Sequence, residues 1–395
     1  MNILLLAPHP FYQERGTPIA VNLLLRALST AGHTVDVLTY HEGEDVSYPR
    51  VTIHRIRRPP FARQVPPGPS LKKILCDLYL FPKALAMARR KRYDIVHAVE
   101  ESVYMAMWLR RRRGLPYLYD MDSSLSLQVA DKFPRFRFLL PAMRHTEGAA
   151  VRKALAVVPV CDALADIARR DGARKVFLLR DVSLLNPAEA ADEEVVLRLM
   201  PPRSAVRFLY IGNLESYQGI DLQLESFKVF LTRGGLGQLV LAGGKAADIQ
   251  RYRDKATALG LAGQVHFIGP QPVSRMAALF NAADILVSPR VKGNNTPMKI
   301  YSYLASGKAI LATDLPTHTQ VLTPEFALLA PPSAELFGEA MVRLAADPSL
   351  RAKLGATGRT QAARLYSVEA FDRAVREIYD WVGTEIVQGR NGRVP

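Results

Sequence analysis

The sequence predicts an α/β protein built from two parallel-sheet domains in series. Three observations carry that reading. Short apolar runs alternate with helix-period stretches along most of the chain, the pattern of repeated βα units. The alternation lapses around residues 186–202 and then restarts. Polar, glycine-bearing loops follow several of the apolar runs, at Gly16, at Gly212 and over Arg290 to Asn295. Open parallel sheets bind ligands beyond the carboxyl ends of their strands, where those loops fall. A chain of 395 residues, 49% hydrophobic and 23% charged, has enough apolar material for two or three such cores.

In order, residues 2–7 read as a strand, followed by a turn-rich loop from His9 to Gly16. A helix then runs from Thr17-Pro18 to Ala31, where Gly32 closes it, and 34–39 is the next strand. Further strands are expected at 51–56, 95–98, 116–119, 156–160 and 176–179, with helices at 70–92, 102–113, 136–155 and 163–170. Residues 59–69 hold too much proline for a helix and read as a surface loop over the sheet edge. The lapse from Asn186-Pro187 to Pro201-Pro202 marks a hinge. The second series has strands at 206–211, 238–242, 265–268, 285–287, 309–312 and 327–329, and a helix at 221–232; 333–387 is almost wholly helical. The domain limits expected are 1–187, 188–368, and a closing helix and tail at 369–395.

The most informative stretch is 288–308, SPRVKGNNTPMKIYSYLASGK. Thr296 sits where an N-cap belongs and Pro297 at the first helical position, and Gly307 ends a helix of about nine residues. A helix N-terminus offers unpaired N–H groups and the positive end of the dipole. With Arg290, Lys292 and Lys299 beside it, this corner suits phosphate. Leu304 to Ala309 mimics the end of a P-loop, but it lacks the earlier glycine and precedes a strand. Gly243-Gly244-Lys245 reads either as a structural turn or as a turn near a ligand.

The net charge is +15, and the excess is concentrated in the first half. Residues 1–180 carry 29 Lys+Arg against 16 Asp+Glu, while 181–395 carry 23 against 21. The clusters at Arg55–Arg58, Lys72-Lys73, Arg89–Arg92 and Arg110–Arg113 point to an anionic membrane surface or another polyanion. Nucleic acid is disfavoured, since the chain has no aromatic-studded basic strand and no zinc-finger spacing. Cys76 and Cys161 lie far apart without metal-site spacing and fit a reducing compartment. The first residues lack a basic leader and no apolar run is long enough for a membrane helix, so a cytoplasmic, peripherally membrane-bound protein is expected.

Several segments together resemble the family 4 glycosyltransferases of the GT-B fold. They are 3–40 (ILLLAPHPFYQERGTPIAVNLLLRALSTAGHTVDVLTY), 93–101 (YDIVHAVEE), 208–227 (FLYIGNLESYQGIDLQLESF), 265–272 (VHFIGPQP), 288–308 and 366–382 (YSVEAFDRAVREIYDWV). The resemblance implies two Rossmann-like domains facing across a cleft, with the closing helix crossing back to the first. It implies transfer of a sugar from a nucleotide donor to a glycan or lipid-linked acceptor with retention, of cell-envelope or exopolysaccharide type. No cofactor or metal is implied; the nucleotide-sugar is the substrate.

By position, the resemblance places Gly16, Thr17 and the amides of Met298 and Lys299 against the donor phosphates, with Gly269 presenting backbone to the base. Asn213 and Gln218 stand where the family has an Arg and a Lys, and Asn294 and Ser302 stand where it has two glutamates. Gly212, Arg290, Lys292, Asn295 and Thr296 complete the expected donor site. Asp122 occupies the place of a family histidine and is the candidate catalytic residue with Asp120, in an Asp-Met-Asp triplet that also mimics a metal-binding motif. His9, His97, Glu100 and Glu101 are candidates for the acceptor pocket, and Glu147 for a salt bridge to nearby arginines. The substitutions leave two alternatives beside transfer: a non-catalytic sugar- or nucleotide-binding scaffold, and another GT-B chemistry such as epimerisation.

Overall fold

The computed structural model describes residues 1–13, 16–66, 68, 70–132, 134–183, 185, 192–202, 205–293 and 295–391. It divides into two compact units, Met1–Arg180 with Glu369–Pro395, and Asp181–Val368.

In the first unit the chain runs β1 (Asn2–Ala7), α1 (Gly16–Thr30), β2 (Thr34–Thr39), β3 (Val51–Arg55), α2 (Leu71–Arg90), β4 (Ile95–Val99), α3 (Val103–Arg113) and β5 (Tyr117–Met121). It continues with α4 (Leu125–Lys132), α5 (Leu140–Lys153), β6 (Ala156–Pro159) and α6 (Asp162–Arg170). The strands make one parallel sheet in the order β3-β2-β1-β4-β5-β6. β1, β4 and β6 are buried along almost their whole length, as strands covered by helices on both faces must be.

In the second unit the elements are α7 (Glu193–Leu199), β7 (Val206–Ile211), α8 (Ile220–Thr232), β8 (Gly237–Ala242), α9 (Ala246–Ala258), β9 (Val265–Gly269), α10 (Met276–Ala282) and β10 (Ile285–Ser288). Then come α11 (Lys299–Ser306), β11 (Ala309–Thr313), α12 (Pro316–Thr319), β12 (Leu328–Ala330), α13 (Ala334–Ala346) and α14 (Pro348–Leu365). Its sheet has the order β12-β11-β10-β7-β8-β9, again parallel. That is the connectivity of the first sheet repeated. In each, the strand order reverses between the first and fourth strands, β1/β4 and β7/β10, which is where doubly wound sheets hold ligands.

The last helix, α15 (Val368–Asn391), belongs to the first unit. Asp372 pairs with Arg26 at 3.0 Å, Tyr379 reaches His97 in β4, and Trp381 packs edge-on against Phe177.

Four local expectations change. The helix expected over 136–155 opens as a tight 3-10 turn (Pro134–Leu139) and is α-helical only over α5, with Pro141 in its first turn, while α4 is a further helix ahead of it. Residues 176–179 run beside β6 but form only a single bridge, Val157 to Val176. Within the expected hinge, 193–199 form α7, which buries Val196 in the core that also holds Leu209 and Ala278; Asn186 and Pro187 lie outside the described residues. Glu147 pairs with no arginine among the described residues. Its buried carboxylate accepts from Ser124 Oγ, Ser126 Oγ and the Leu125 amide at 2.6–2.9 Å, satisfying the start of α4.

Candidate functional site

In the second unit, neighbouring strands β7 and β10 bring together two of the segments singled out from sequence. The turn after β7 begins at Gly212, and the loop after β10 leads into α11. The two approach backbone to backbone: a Cβ on Gly219, at φ +76°, would lie 1.9 Å from the Pro289 carbonyl oxygen. Val291 N–H donates to the Tyr217 carbonyl across the same seam at 3.0 Å.

Lys299 is the centre of this corner. Its Nζ donates to Gln218 Oε1 at 3.4 Å, lies 3.8 Å from the Tyr210 ring centroid, and would meet a Cβ on Gly212 at 3.3 Å. Burial, reinforced by the positive charge of Arg290, holds the Lys299 ammonium well below the usual lysine range. Gly212 and Gln218, in one turn, therefore form a cluster with Lys299, 81 residues beyond Gln218. Asn213 folds back on its own turn, donating from Nδ2 to the Tyr217 hydroxyl at 3.3 Å.

Arg290 has a different place from the one its charge suggests. Its guanidinium donates to the carbonyls of Lys292 (2.7 Å) and Asn295 (3.3 Å) and to Asn295 Oδ1 (3.2 Å), and it stacks near Tyr217. It builds the loop. Lys292 is exposed, and among the described residues nothing pairs with its ammonium. Helix α11 starts at Lys299 with Met298 as its cap, two residues later than the sequence pattern places it. Thr296 is consequently not a cap: it is buried, and among the described residues its Oγ1 has no hydrogen-bond partner. Ser302 is buried on α11, Asn295 is exposed, and Asn294 lies outside the described residues.

A supporting layer beneath the loop carries no obvious sequence signal. His318 spans Ser288 Oγ (2.8 Å) and Thr313 Oγ1 (2.9 Å), and Thr317 Oγ1 donates to the Asn295 carbonyl at 2.8 Å. Burial lowers the His318 imidazole to about 3, so it is neutral there. Beside this corner, a cavity of about 260 Å³ opens over the ends of β7, β8 and β9, lined among others by Gly212, Asn213, Gly243, Lys245 and Gln271. Gly243 has φ +116° and a Cβ there would sit 2.1 Å from the Gly212 carbonyl oxygen, so the turn must be glycine. Gly269, at the end of β9, accepts from the Gly243 amide at 2.7 Å.

In the first unit, β4 and β5 are neighbours and so their ends share one edge. Asp120 Oδ2 lies 3.0 Å from His97 Nε2, and His97 Nδ1 lies 2.8 Å from the Tyr379 hydroxyl. A carboxylate only accepts, so Nε2 carries the proton. Burial keeps the Tyr379 phenol protonated, and it donates to Nδ1. His97 is thus a buried link beneath Asp120, not a surface group. Glu100, at φ +49°, accepts from Ser123 Oγ at 3.2 Å, tying the end of β4 to the segment that carries Asp122. Glu101 turns inward to Lys73 at 2.5 Å, and burial among Glu100 and Asp77 raises its carboxyl. His9 is buried with Nδ1 against the Pro10 carbonyl, Gly16 is exposed at the start of α1, and Thr17 is half-buried.

Comparison with known proteins agrees on what this architecture is. Residues 15–179 match the model of the glycosyl transferase 4-like domain, and residues 201–361 that of glycosyl transferases group 1. Among characterised relatives, a phosphatidyl-myo-inositol mannosyltransferase of Mycobacterium leprae is 25% identical over 186 residues, 46% of this chain and 48% of that protein. The chain's matches thus span about half the length of such relatives or less. Among solved structures, sucrose-phosphate synthase from Thermosynechococcus elongatus superposes with a TM-score of 0.78 at 21% identity, covering 97% of this chain and 99% of that one. Anabaena HepE, determined in complex with UDP, gives 0.74 at 14% identity over 96% and 100%. Matched by glycosyltransferase models on both sides of its unit boundary and sharing the fold of GT-B glycosyltransferases, the chain belongs to the family 4 glycosyltransferases.

Proposed function

We propose that this glycosyltransferase moves a sugar from a nucleoside diphosphate-sugar to a hydroxyl of a glycan or lipid-linked acceptor, with retention at the anomeric carbon. The observation that carries the reading is the corner at α11. There the Lys299 ammonium, the Met298 and Lys299 amides and the Thr296 hydroxyl, unpartnered among the described residues, lie within four residues. A departing nucleoside diphosphate gains negative charge as the glycosidic C–O bond breaks. Preorganised donors and a cation at that point lower the barrier. Exposed Lys292 adds a second cation, and the 260 Å³ cavity over β7–β9 is the place for the nucleoside. UDP, the nucleotide bound by HepE, is the first to test.

On the acceptor side the reading assigns Asp122 to orienting the incoming hydroxyl and taking its proton. The Tyr379–His97–Asp120 chain fixes the neighbouring carboxylate. The excess of positive charge over residues 1–180 favours an acceptor held at an anionic membrane surface, with the protein on its cytoplasmic face. Calorimetric titration with UDP, GDP and ADP tests the donor half. Thr296→Val and Lys299→Ala should each weaken the nucleotide that binds, Lys299→Ala by about tenfold or more, while Lys245→Ala has a smaller effect. Equal, small effects of all three would overturn the assignment.

A further inference from the structure

Helix α2 is apolar on two sides. Cys76, Leu80 and Ala84 are buried in the first unit's core with Leu38 and Tyr40. On the opposite side Leu71, Ile74 and Leu78 are 84%, 57% and 65% exposed, at spacing i, i+3, i+7, so they form one stripe over two turns. A helix covering a sheet ordinarily turns charge outward along such a stripe.

The loop before the helix extends this face. Ala62 and Val65 anchor it in the core, and Lys72 Nζ donates to the Arg63 carbonyl at 2.6 Å, so the loop lies against the first turn of α2. Immediately before the first anchor, Phe61 stands 95% exposed. The rim is cationic: Arg57, Arg58, Arg63 and Lys72 are all exposed, and residues 57–76 contain no Asp or Glu. Large exposed apolar residues ringed by cations match an interface with acyl chains below and anionic headgroups above.

We propose that Phe61 and the Leu71–Ile74–Leu78 stripe are a membrane-docking face that inserts into a bilayer containing anionic phospholipid, with Arg57, Arg58, Arg63 and Lys72 on the headgroups. The inner side of the same helix reaches the carboxyl end of β4. Lys73, one residue from the stripe's rim, turns inward to Glu101 just past β4, the strand whose His97 holds Asp120. Docking here brings that strand end to the lipid. The inference deepens the membrane reading above; the lipid-held acceptor rests on that reading, whereas vesicle binding does not.

The test is sedimentation of the full chain with vesicles of phosphatidylcholine alone or mixed with phosphatidylglycerol. The wild type should bind the mixed vesicles more strongly. Leu71→Ser/Leu78→Ser should cut that binding about tenfold at low and high salt alike. Arg57→Gln/Arg58→Gln/Lys72→Gln should cut it at low salt only. Unchanged melting temperature and unchanged nucleotide affinity in both variants exclude misfolding. Wild-type-like sedimentation of the Leu71/Leu78 variant overturns the proposal. So does a vesicle-free dimer that the same substitutions dissociate, since the stripe would then be an interface between copies. Lost vesicle binding with intact nucleotide binding in the two leucine substitutions supports docking, and vesicle binding without nucleotide binding leaves docking standing while the transfer reading falls.

Discussion

His97 Nδ1 and the Tyr379 hydroxyl meet at 2.8 Å across 282 residues of sequence. With Nδ1 occupied as an acceptor, the ring's one proton sits on Nε2 and points at Asp120. Tyr379→Phe leaves a buried nitrogen unsatisfied and should cost about 1–3 kcal/mol of stability. It also releases the ring's orientation, so turnover should fall while nucleotide affinity holds. Steady-state kinetics set beside calorimetry on the same variant check this.

Lys299 should behave as a site whose stability has been sacrificed to binding. Burial holds its ammonium below the usual range, so the unfolded chain binds the proton more tightly than the folded one. Stability therefore rises with pH from that lowered value up to the ordinary lysine pKa of 10.5. Lys299→Met should be at least as stable as the wild type yet bind nucleotide about tenfold or more weakly. Diphosphate binding should raise the lysine's pKa, so titrations in buffers of different ionisation enthalpy should register proton uptake.

Arg290 should fail differently. Its donors are committed to Lys292 and Asn295, so Arg290→Ala leaves loop carbonyls unpaired. Melting temperature and nucleotide affinity should drop together, in contrast to Lys299→Met.

His318 predicts an acid weakness. The imidazole is neutral in the fold, with its pKa lowered from 6.5 to about 3. Its contribution is complete above 6.5 and is lost as pH falls from there toward 3, because the unfolded state takes up the proton first. His318→Gln should flatten the stability–pH curve over that window, measured by denaturant titration at several pH values.

Gly219→Ala should be severely destabilising, by several times the ~1 kcal/mol of an ordinary glycine substitution. The new methyl would overlap the Pro289 carbonyl at 1.9 Å and the residue has φ +76°. Loss of soluble folded protein or a large drop in melting temperature is the expected result.

Much of the fold was legible because strand and helix periods are local properties. Every strand of both sheets answers to a short apolar run, from 2–7 to 328–330. Strand order was not legible, since it depends on crossover connections that leave no mark on periodicity. Without it, periodicity alone does not bring Gly212 beside Lys299; only the family resemblance groups them. The basic start of α11, after Pro297, points to an anion site, but charge alone does not separate Arg290, spent on its own loop, from Lys299 and Lys292. Thr296 looked like a cap because the pattern before Pro297 fits one; the helix begins later, so the hydroxyl is left over. His318, Thr313 and Thr317 were missed because a histidine supporting a loop through two hydroxyls has no spacing rule. His97 stands out in sequence by its nearness to Glu100 and Glu101 at a strand end, while its burial involves Tyr379, which no local signal connects to it.

Helix α15 carries a consequence for how the molecule is made. Val375, Ile378, Tyr379 and Val382 complete the core of the first unit, yet they are translated only after the whole of the second. The opening half of the chain must wait, with His97 and the surface around it uncovered, until Tyr379 has been translated. The second unit has no such debt and can mature while the first is unfinished. Loss of α15 would therefore injure the first unit and its His97–Asp120 edge and spare the α11 corner of the second.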